Sequence, residues 1–280
     1  MSIHTRKLVS VYIPTRNRLE QLQQALQSVL GQTWKNIEII VVDDASEDHT
    51  PEILEKIAET HPIKIIRNKS PKGAAISRNL ALEHASGDFV AGLDDDDLWM
   101  PTRIEYMMNA FDEGYSGVCS HDRMDYESRS IIWKKKPVIS FDDLLYYNRV
   151  GNQVLTKREY ILGAGGYDET LPSAQDYDLW IRLTEAFGPV KNVPHVLQVV
   201  NARQNRTSIT TSEKSIDGYI ACFEKHKSKM SLEQQNYQRY RIKLASGVRV
   251  TWLEIFRSVP MNLWTKEIKR KIFIKRNVDL

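Results

Sequence analysis

Hydrophobic positions in the first hundred residues follow two alternating periods. "LVSVYIP" (8–14) is a short β-branched run that stops at Pro14, and the stretch after it repeats Leu19, Leu22, Leu26, Val29 and Leu30 at the spacing of one helix face. The same pair of patterns then recurs. "IEIIVVDD" (37–44) is a near-continuous apolar run of the kind buried on both sheet faces, and Thr50-Pro51 opens a helix over "EILEKIAET". "IKIIRN" (63–68) predicts a third strand and "GAAISRNLALEHASG" (73–87) a third helix closed by Gly87. "DFVAGL" (88–93) predicts a fourth strand that delivers four aspartates, Asp94 to Asp97.

This βαβαβαβ alternation predicts an α/β fold with a mostly parallel central sheet covered by helices and right-handed crossovers. Ligands of such sheets bind beyond the carboxyl ends of the strands. Asp43 and Asp44 end the second strand and Asp94 to Asp97 follow the fourth, so both acidic groups are expected on one crevice. Pro101 suits the first turn of a helix over "TRIEYMMNAFDEG", and between about 115 and 205 the predicted elements become shorter and mixed, supplying the opposite wall. From Ser212 the chain reads as charged helices, and "KEIKRKIFIKR" (266–276) holds six basic residues against one acidic. The expected division is a domain over 1–210, in two halves at 1–100 and 101–210. A basic helical extension follows over 211–280.

Composition narrows the classes. The 280 residues, 41% of them hydrophobic, suffice for a large core, and 39 basic against 36 acidic residues give +3, too balanced for a nucleic-acid binder. Cys119 and Cys222 have neither disulfide-framework nor zinc-ligand spacing, which fits a reducing cytoplasm. The N-terminus lacks a signal-peptide core, and no apolar run reaches the roughly 18 residues that span a bilayer.

Four adjacent carboxylates repel one another. A solvated acidic loop would tolerate that repulsion, whereas a site for Mg²⁺ or Mn²⁺ would use it, since two neighbouring carboxylates hold a hard cation and leave positions for phosphate and water. Placement at a strand end, facing a second acidic strand end, favours the cation. The loop is not an EF-hand, because Trp99 stands where glycine is required. Neither a Walker A loop nor a glycine-rich turn follows the first strand, where "PTRN" is found.

Taken together, "VSVYIPTRN", "QSVLGQTW", "EIIVVDDASEDHT", "GAAISRNLAL", "GDFVAGLDDDDLWMPTR" and "GGYDETLPSAQDYDLWIRL" resemble the inverting family 2 glycosyltransferases with the GT-A fold, over roughly residues 8 to 205. Within that family the chain is similar to bacterial enzymes that build O-antigen, capsule and other surface polysaccharides. The resemblance implies that Pro14 and Thr15 pack on the nucleobase, that Asp44 accepts a hydrogen bond from it, and that the donor is a UDP-sugar. It places Arg78 near the nucleotide, Asp95 on the ribose, and Asp94 and Asp96 on Mn²⁺ or Mg²⁺, leaving Asp97 without a role beyond capping the next turn. "SAQDYDLW" matches the family's EDYDLW and makes Asp176 the catalytic base, with Gln175 replacing the usual glutamate. Ser173 and Asp176 also have the spacing of an S-x-x-D helix start, so a capping role for Asp176 competes. Trp180 is a crevice wall or, as aromatics at helical spacing usually are, core. In "VVNARQNRTSIT" Arg203 fits an arginine that folds over the diphosphate, while Asn201 and Asn205 depart from the family's tyrosine and histidine.

Inverting transfer needs a base for the acceptor hydroxyl and charge stabilisation for the departing diphosphate. The resemblance further implies a polyprenyl-diphosphate-linked sugar as acceptor, a β-glycoside as product, and glucose or galactose as the donor sugar. The basic end, with Trp252, Phe256, Trp264 and Phe273, suits either an anionic membrane surface, making the chain peripheral on the inner face of the bacterial inner membrane, or ordinary packing on the domain. Two other classes compete: a non-catalytic nucleotide-sugar-binding subunit, and a phosphotransferase in which Asp94 is the nucleophile.

Overall fold

The structure is a computed structural model that describes residues 7–201, 213–269 and 271. The predicted alternation appears as β1 (Val9–Thr15), α1 (Leu19–Leu30), β2 (Ile37–Asp43), α2 (Thr50–Thr60), β3 (Ile63–Arg67), α3 (Ala74–His84) and β4 (Phe89–Gly92). There follow β5 (Leu98–Trp99), α4 (Arg103–Ala110), β6 (Gly117–Asp125), β7 (Ser130–Trp133), β8 (Val138–Ile139), α5 (Phe141–Tyr146), β9 (Leu155–Lys157) and α6 (Arg158–Gly163). The chain continues through α7 (Gln175–Phe187), β10 (Val190–Asn201), α8 (Glu213–His226), α9 (Leu232–Ala245) and α10 (Trp252–Ser258).

One sheet runs in the order β3-β2-β1-β4-β9-β6-β10-β5, with β7 beside β6 and β8 beside β10. The first four strands pair in parallel, as crossover helices require. Beyond β4 the sheet is mixed: β9 is antiparallel to β4 and β6, and β10 is parallel to β6 but antiparallel to β5. Side chains of β1 divide between the faces. Val9, Val11 and Ile13 pack with Leu22, Ala25, Leu26 and Val29 of α1, whereas Tyr12 packs in the other core layer with residues of α3 and α7. That two-sided burial explains why the strands read as continuous apolar runs.

The predicted end of α3 needs correction. The helix stops at His84 with Ala85 extended, so Gly87 does not cap it. Glycine is required there because a Cβ would lie 2.7 Å from Ser10 Oγ and 2.8 Å from the Leu8 carbonyl, where the chain crosses β1.

Helix α8 joins the main core through Cys222 and Phe223, and crosses the turn before α7 at Gly218, where a Cβ would lie 2.6 Å from the Ser173 carbonyl oxygen. Both cysteines are buried and free. Helices α9 and α10 close a separate cluster of Tyr147, Tyr237, Tyr240, Ile255, Val259 and Leu263. Among the described residues no helix is long and apolar enough to cross a membrane.

Candidate active site at the carboxyl edge of the sheet

Strands β1, β2 and β4 end at one edge, and the residues just past them build the crevice. After β2, Asp43 Oδ1 accepts the Ser46 N–H at 2.9 Å, which holds Ala45 in the left-handed region at φ 58°. Asp44 turns the other way and fixes the loop before α3. Its Oδ1 accepts Asn68 Nδ2 at 2.7 Å and the Lys72 N–H at 2.8 Å, and its Oδ2 accepts the Gly73 N–H at 2.8 Å. A carboxylate offers about four acceptor positions, so Asp44 Oδ2 retains one.

The four aspartates after β4 enter a tight turn in which the Asp97 N–H donates to the Asp94 carbonyl at 3.0 Å. Arg18 is shared by Asp95 and Asp96, and Asn152 by Asp94 and Asp97. Asp94 Oδ1 pairs with Arg78 Nη2 at 2.7 Å and its Oδ2 accepts Asn152 Nδ2 at 2.8 Å. Asp95 is buried and accepts the Thr15 hydroxyl at 2.8 Å. Arg18 Nη1 bridges Asp95 Oδ1 and Asp96 Oδ2 at 3.0 and 3.1 Å. Burial raises the Asp95 carboxyl even though Arg18 and Thr15 oppose the shift. Burial, followed by the Asp94 and Asp95 charges, pushes Asp96 up to about 6.

Asp97 does more than cap a turn. Only 2% exposed, it accepts Asn152 Nδ2 at 2.7 Å, Gln153 Nε2 at 3.2 Å and Gln198 Nε2 at 3.1 Å on Oδ2, and the Asn201 N–H at 3.0 Å on Oδ1. Burial and the Asp94 and Asp96 charges raise its carboxyl, while the N–H donors favour the ionised form. The side chain ties the acidic turn to the loop before β9 and to the end of β10.

The opposite wall comes from α7. Its N-cap is Ala174 at φ 57° with no side-chain cap, and the Ser173 hydroxyl donates to the Ser215 carbonyl at 3.0 Å, so Ser173 and Asp176 form no capping box. Asp176 is half-buried in the first turn; burial pushes it up to about 6, Arg78 pulls it down, and Asp94 adds to the rise. Arg78 joins the walls: besides Asp94, its Nη1 donates to Gln175 Oε1 at 3.3 Å and its guanidinium lies 5.3 Å from the Tyr167 ring centre. Burial opposes the Arg78 charge, but Asp94, Tyr167 and Asp176 outweigh it and raise its pKa. Tyr167 is held by Asn79 through both backbone groups at 2.8 Å and shares a 2.8 Å hydroxyl contact with Tyr12.

The structure therefore brings Thr15, Arg78, Asp94, Asp95, Asp96 and Asp176 to one crevice. Asp44 stands on its β2 side, and Pro14 is half-buried in register with Val42. Arg203 lies outside the described residues. Trp180 is core, 1% exposed, with its indole N–H on the Gly151 carbonyl at 2.8 Å. Sequence reasoning missed Arg18, Asn152, Gln153 and Gln198. For Arg18 a signal existed, since four clustered carboxylates need more than one counter-charge.

Asp96 and Asp94 are the carboxylates offered to a divalent cation, and each Asp94 oxygen already has one partner, Arg78 or Asn152. Asp96 remains partly exposed, burial and then its negative neighbours raise its pKa, and a dication would offset those neighbouring charges. A second group of metal-capable atoms, Asp178, Cys222 and His226, does not fit one. Asp178 there already accepts Arg182 Nη2 at 2.6 Å, Lys225 Nζ at 2.8 Å and His226 Nε2 at 2.8 Å, and burial holds the Cys222 thiol protonated. It is a polar latch between α7 and α8.

Residues 10–166 match the family described as Glycosyl transferase family 2. The putative colanic acid biosynthesis glycosyl transferase WcaA of Escherichia coli K12 is 31% identical over 88% of this chain and 90% of its own length. The UDP-Glc:alpha-D-GlcNAc-diphosphoundecaprenol beta-1,3-glucosyltransferase WfaP of Escherichia coli is 33% identical over 63% of this chain and 70% of its own. Among solved structures, the mannosyltransferase PcManGT of Pyrobaculum calidifontis, in complex with GDP-Man and Mn²⁺, superposes with a TM-score of 0.60 at 20% identity, covering 88% of this chain and 77% of that one.

Proposed function

The chain belongs to glycosyl transferase family 2, and we propose that it transfers a hexose, glucose or galactose, from a UDP-sugar to a hydroxyl of a polyprenyl-diphosphate-linked sugar with inversion to a β-glycoside. The observation that carries this reading is the Arg78 bridge, which sets Asp176 on one wall of the crevice against the acidic turn on the other. The names of WcaA and WfaP support polysaccharide assembly, a UDP-sugar donor and a lipid-linked acceptor.

Asp176 takes the proton of the attacking hydroxyl. With its carboxyl raised to about 6 it is ionised at neutral pH yet more basic than an ordinary aspartate, which suits a general base. The remaining acceptor position on Asp44 Oδ2 suits the N3–H of uracil, a donor that cytosine lacks at N3. Asp95, braced by Thr15 and Arg18, orients the ribose. Asp96 and Asp94 would hold Mn²⁺ or Mg²⁺, which supplies positive charge against the charge growing on the departing diphosphate. Arg203 is assigned to the same diphosphate. The lipid carrier puts the reaction at the cytoplasmic face of the inner membrane, with the chain attached peripherally.

A nucleotide-release screen tests the reading. The full chain is given Mn²⁺, a panel of UDP-, GDP-, CMP- and dTDP-sugars, and lipid-diphosphate GlcNAc or GalNAc, with and without EDTA. UDP released from one sugar only with metal and acceptor is the expected result. UDP binding without transfer to any acceptor would instead make the chain a binding subunit.

A further inference from the structure

We infer that α10 and the turn after it form a docking face for an anionic lipid bilayer. Its purpose rests on the lipid-linked acceptor proposed above, but the surface can be measured without donor or acceptor.

A capping box between Thr251 and Glu254 starts α10, and Ile255 with the following Val259 and Leu263 fills the cluster against Tyr237 and Tyr240. The inward side is thereby complete. At helical spacing Trp252, Leu253, Phe256 and Arg257 fall on the opposite arc, where Trp252 is 46%, Leu253 57% and Phe256 49% exposed, and Met261 beyond the helix is 77% exposed. Of the aromatics singled out in the sequence, Trp264 packs, donating its indole N–H to the Val259 carbonyl at 2.7 Å, whereas Trp252, with Lys271 Nζ 4.9 Å from its ring centre, and Phe256, edge-on to Trp264 at 5.1 Å, keep about half their surface outward; Phe273 lies outside the described residues.

Charge identifies the partner. Residues 239–271 hold nine basic side chains against two acidic. Glu254 is engaged by Lys243, and Glu267 is buried under the Tyr237 hydroxyl at 3.0 Å, so neither acid offsets the exposed Arg249, Arg257, Lys266 and Lys269. Large apolar side chains rimmed by cations match an interface of acyl chains and anionic headgroups, where aromatic rings insert and cations stay at headgroup level. A nucleic acid would use the cations and leave Leu253 and Met261 without a role.

The face is also fixed relative to the crevice. Gln238 Nε2 of α9 donates to the Leu145 carbonyl at 3.0 Å and to the Tyr177 hydroxyl at 2.6 Å, and Tyr177 adjoins Asp176. Docking through α10 would therefore set the orientation of the base-bearing helix above the bilayer.

Cosedimentation of the full chain with vesicles of phosphatidylcholine, alone or mixed with phosphatidylglycerol, tests the inference. Binding is expected only with phosphatidylglycerol, and Trp252→Glu/Phe256→Glu should reduce it by about tenfold or more, as should Arg249→Glu/Arg257→Glu. Both variants replace exposed residues and should keep the wild-type melting temperature and transfer to a water-soluble acceptor. No vesicle binding by the wild type, equal binding to neutral vesicles, or undiminished binding by folded variants would overturn the proposal; with a protein partner, vesicle binding is absent. Vesicle binding without transfer would instead count against the enzymatic reading and leave the docking face standing.

Discussion

Arg78 and Asp94 form the ion pair on which the crevice is built: Nη2 stands 2.7 Å from Oδ1, with the side chains only 15% and 27% exposed. Removing one partner of such a pair leaves the other charge poorly compensated. Arg78→Ala should therefore cost about 2–3 kcal/mol in urea unfolding, somewhat below the value for a fully buried pair. It should also move the pH at which transfer becomes half-maximal above about 6, because Arg78 is what holds the Asp176 carboxyl down.

Asp176→Asn keeps the shape of the first turn of α7 and removes the base. UDP binding with Mn²⁺ should be unchanged by calorimetry, while kcat should fall about 10²–10⁴-fold. Turnover at the wild-type rate would refute the role given to Asp176.

Asp96 and Asp176 both carry pKa values raised to about 6, so in the fold each disfavours its ionised form. The sign follows: their contribution to stability is lost as pH rises from the unfolded value near 4 through about 6. A dication on Asp96 competes with the proton. Mn²⁺ should raise the melting temperature more at pH 7 than at pH 5, and EDTA should abolish transfer. Asp96→Ala should remove the Mn²⁺ effect on melting at both pH values.

Asp97→Ala would take the acceptor of the Gln153 side-chain amide and one contact each from the amides of Gln198 and Asn152 and from the Asn201 N–H. A cost on the order of 3 kcal/mol in denaturant unfolding is expected, together with weaker Mn²⁺ binding because Asn152 also braces Asp94. A calorimetric Mn²⁺ titration at a temperature where the variant is folded separates the two effects.

Periodicity made the β1-to-β4 half legible, since each strand is a local apolar run and each crossover helix has its own stripe. From those elements alone Asp44 and the four aspartates could be assigned to one edge. Asn152, Gln153 and Gln198 were not legible. They reach Asp97 through the antiparallel joining of β9 to β4 and the long pairing of β6 with β10, contacts between residues 55 to 101 positions apart that leave no periodic trace. Gly87 misled for a related reason: a glycine after a helical run looks like a cap, whereas this one is required by the strand it passes.

Gly218 gives the distance between α8 and the start of α7 a meaning for chemistry. With no side chain on α8 at the crossing, its backbone lies directly against Ser173, whose hydroxyl is tied to the Ser215 carbonyl, and the helix carrying Asp176 is seated by that close contact. One methyl group at that point would act as a shim, tilting the proton acceptor against its substrate from a position that touches neither.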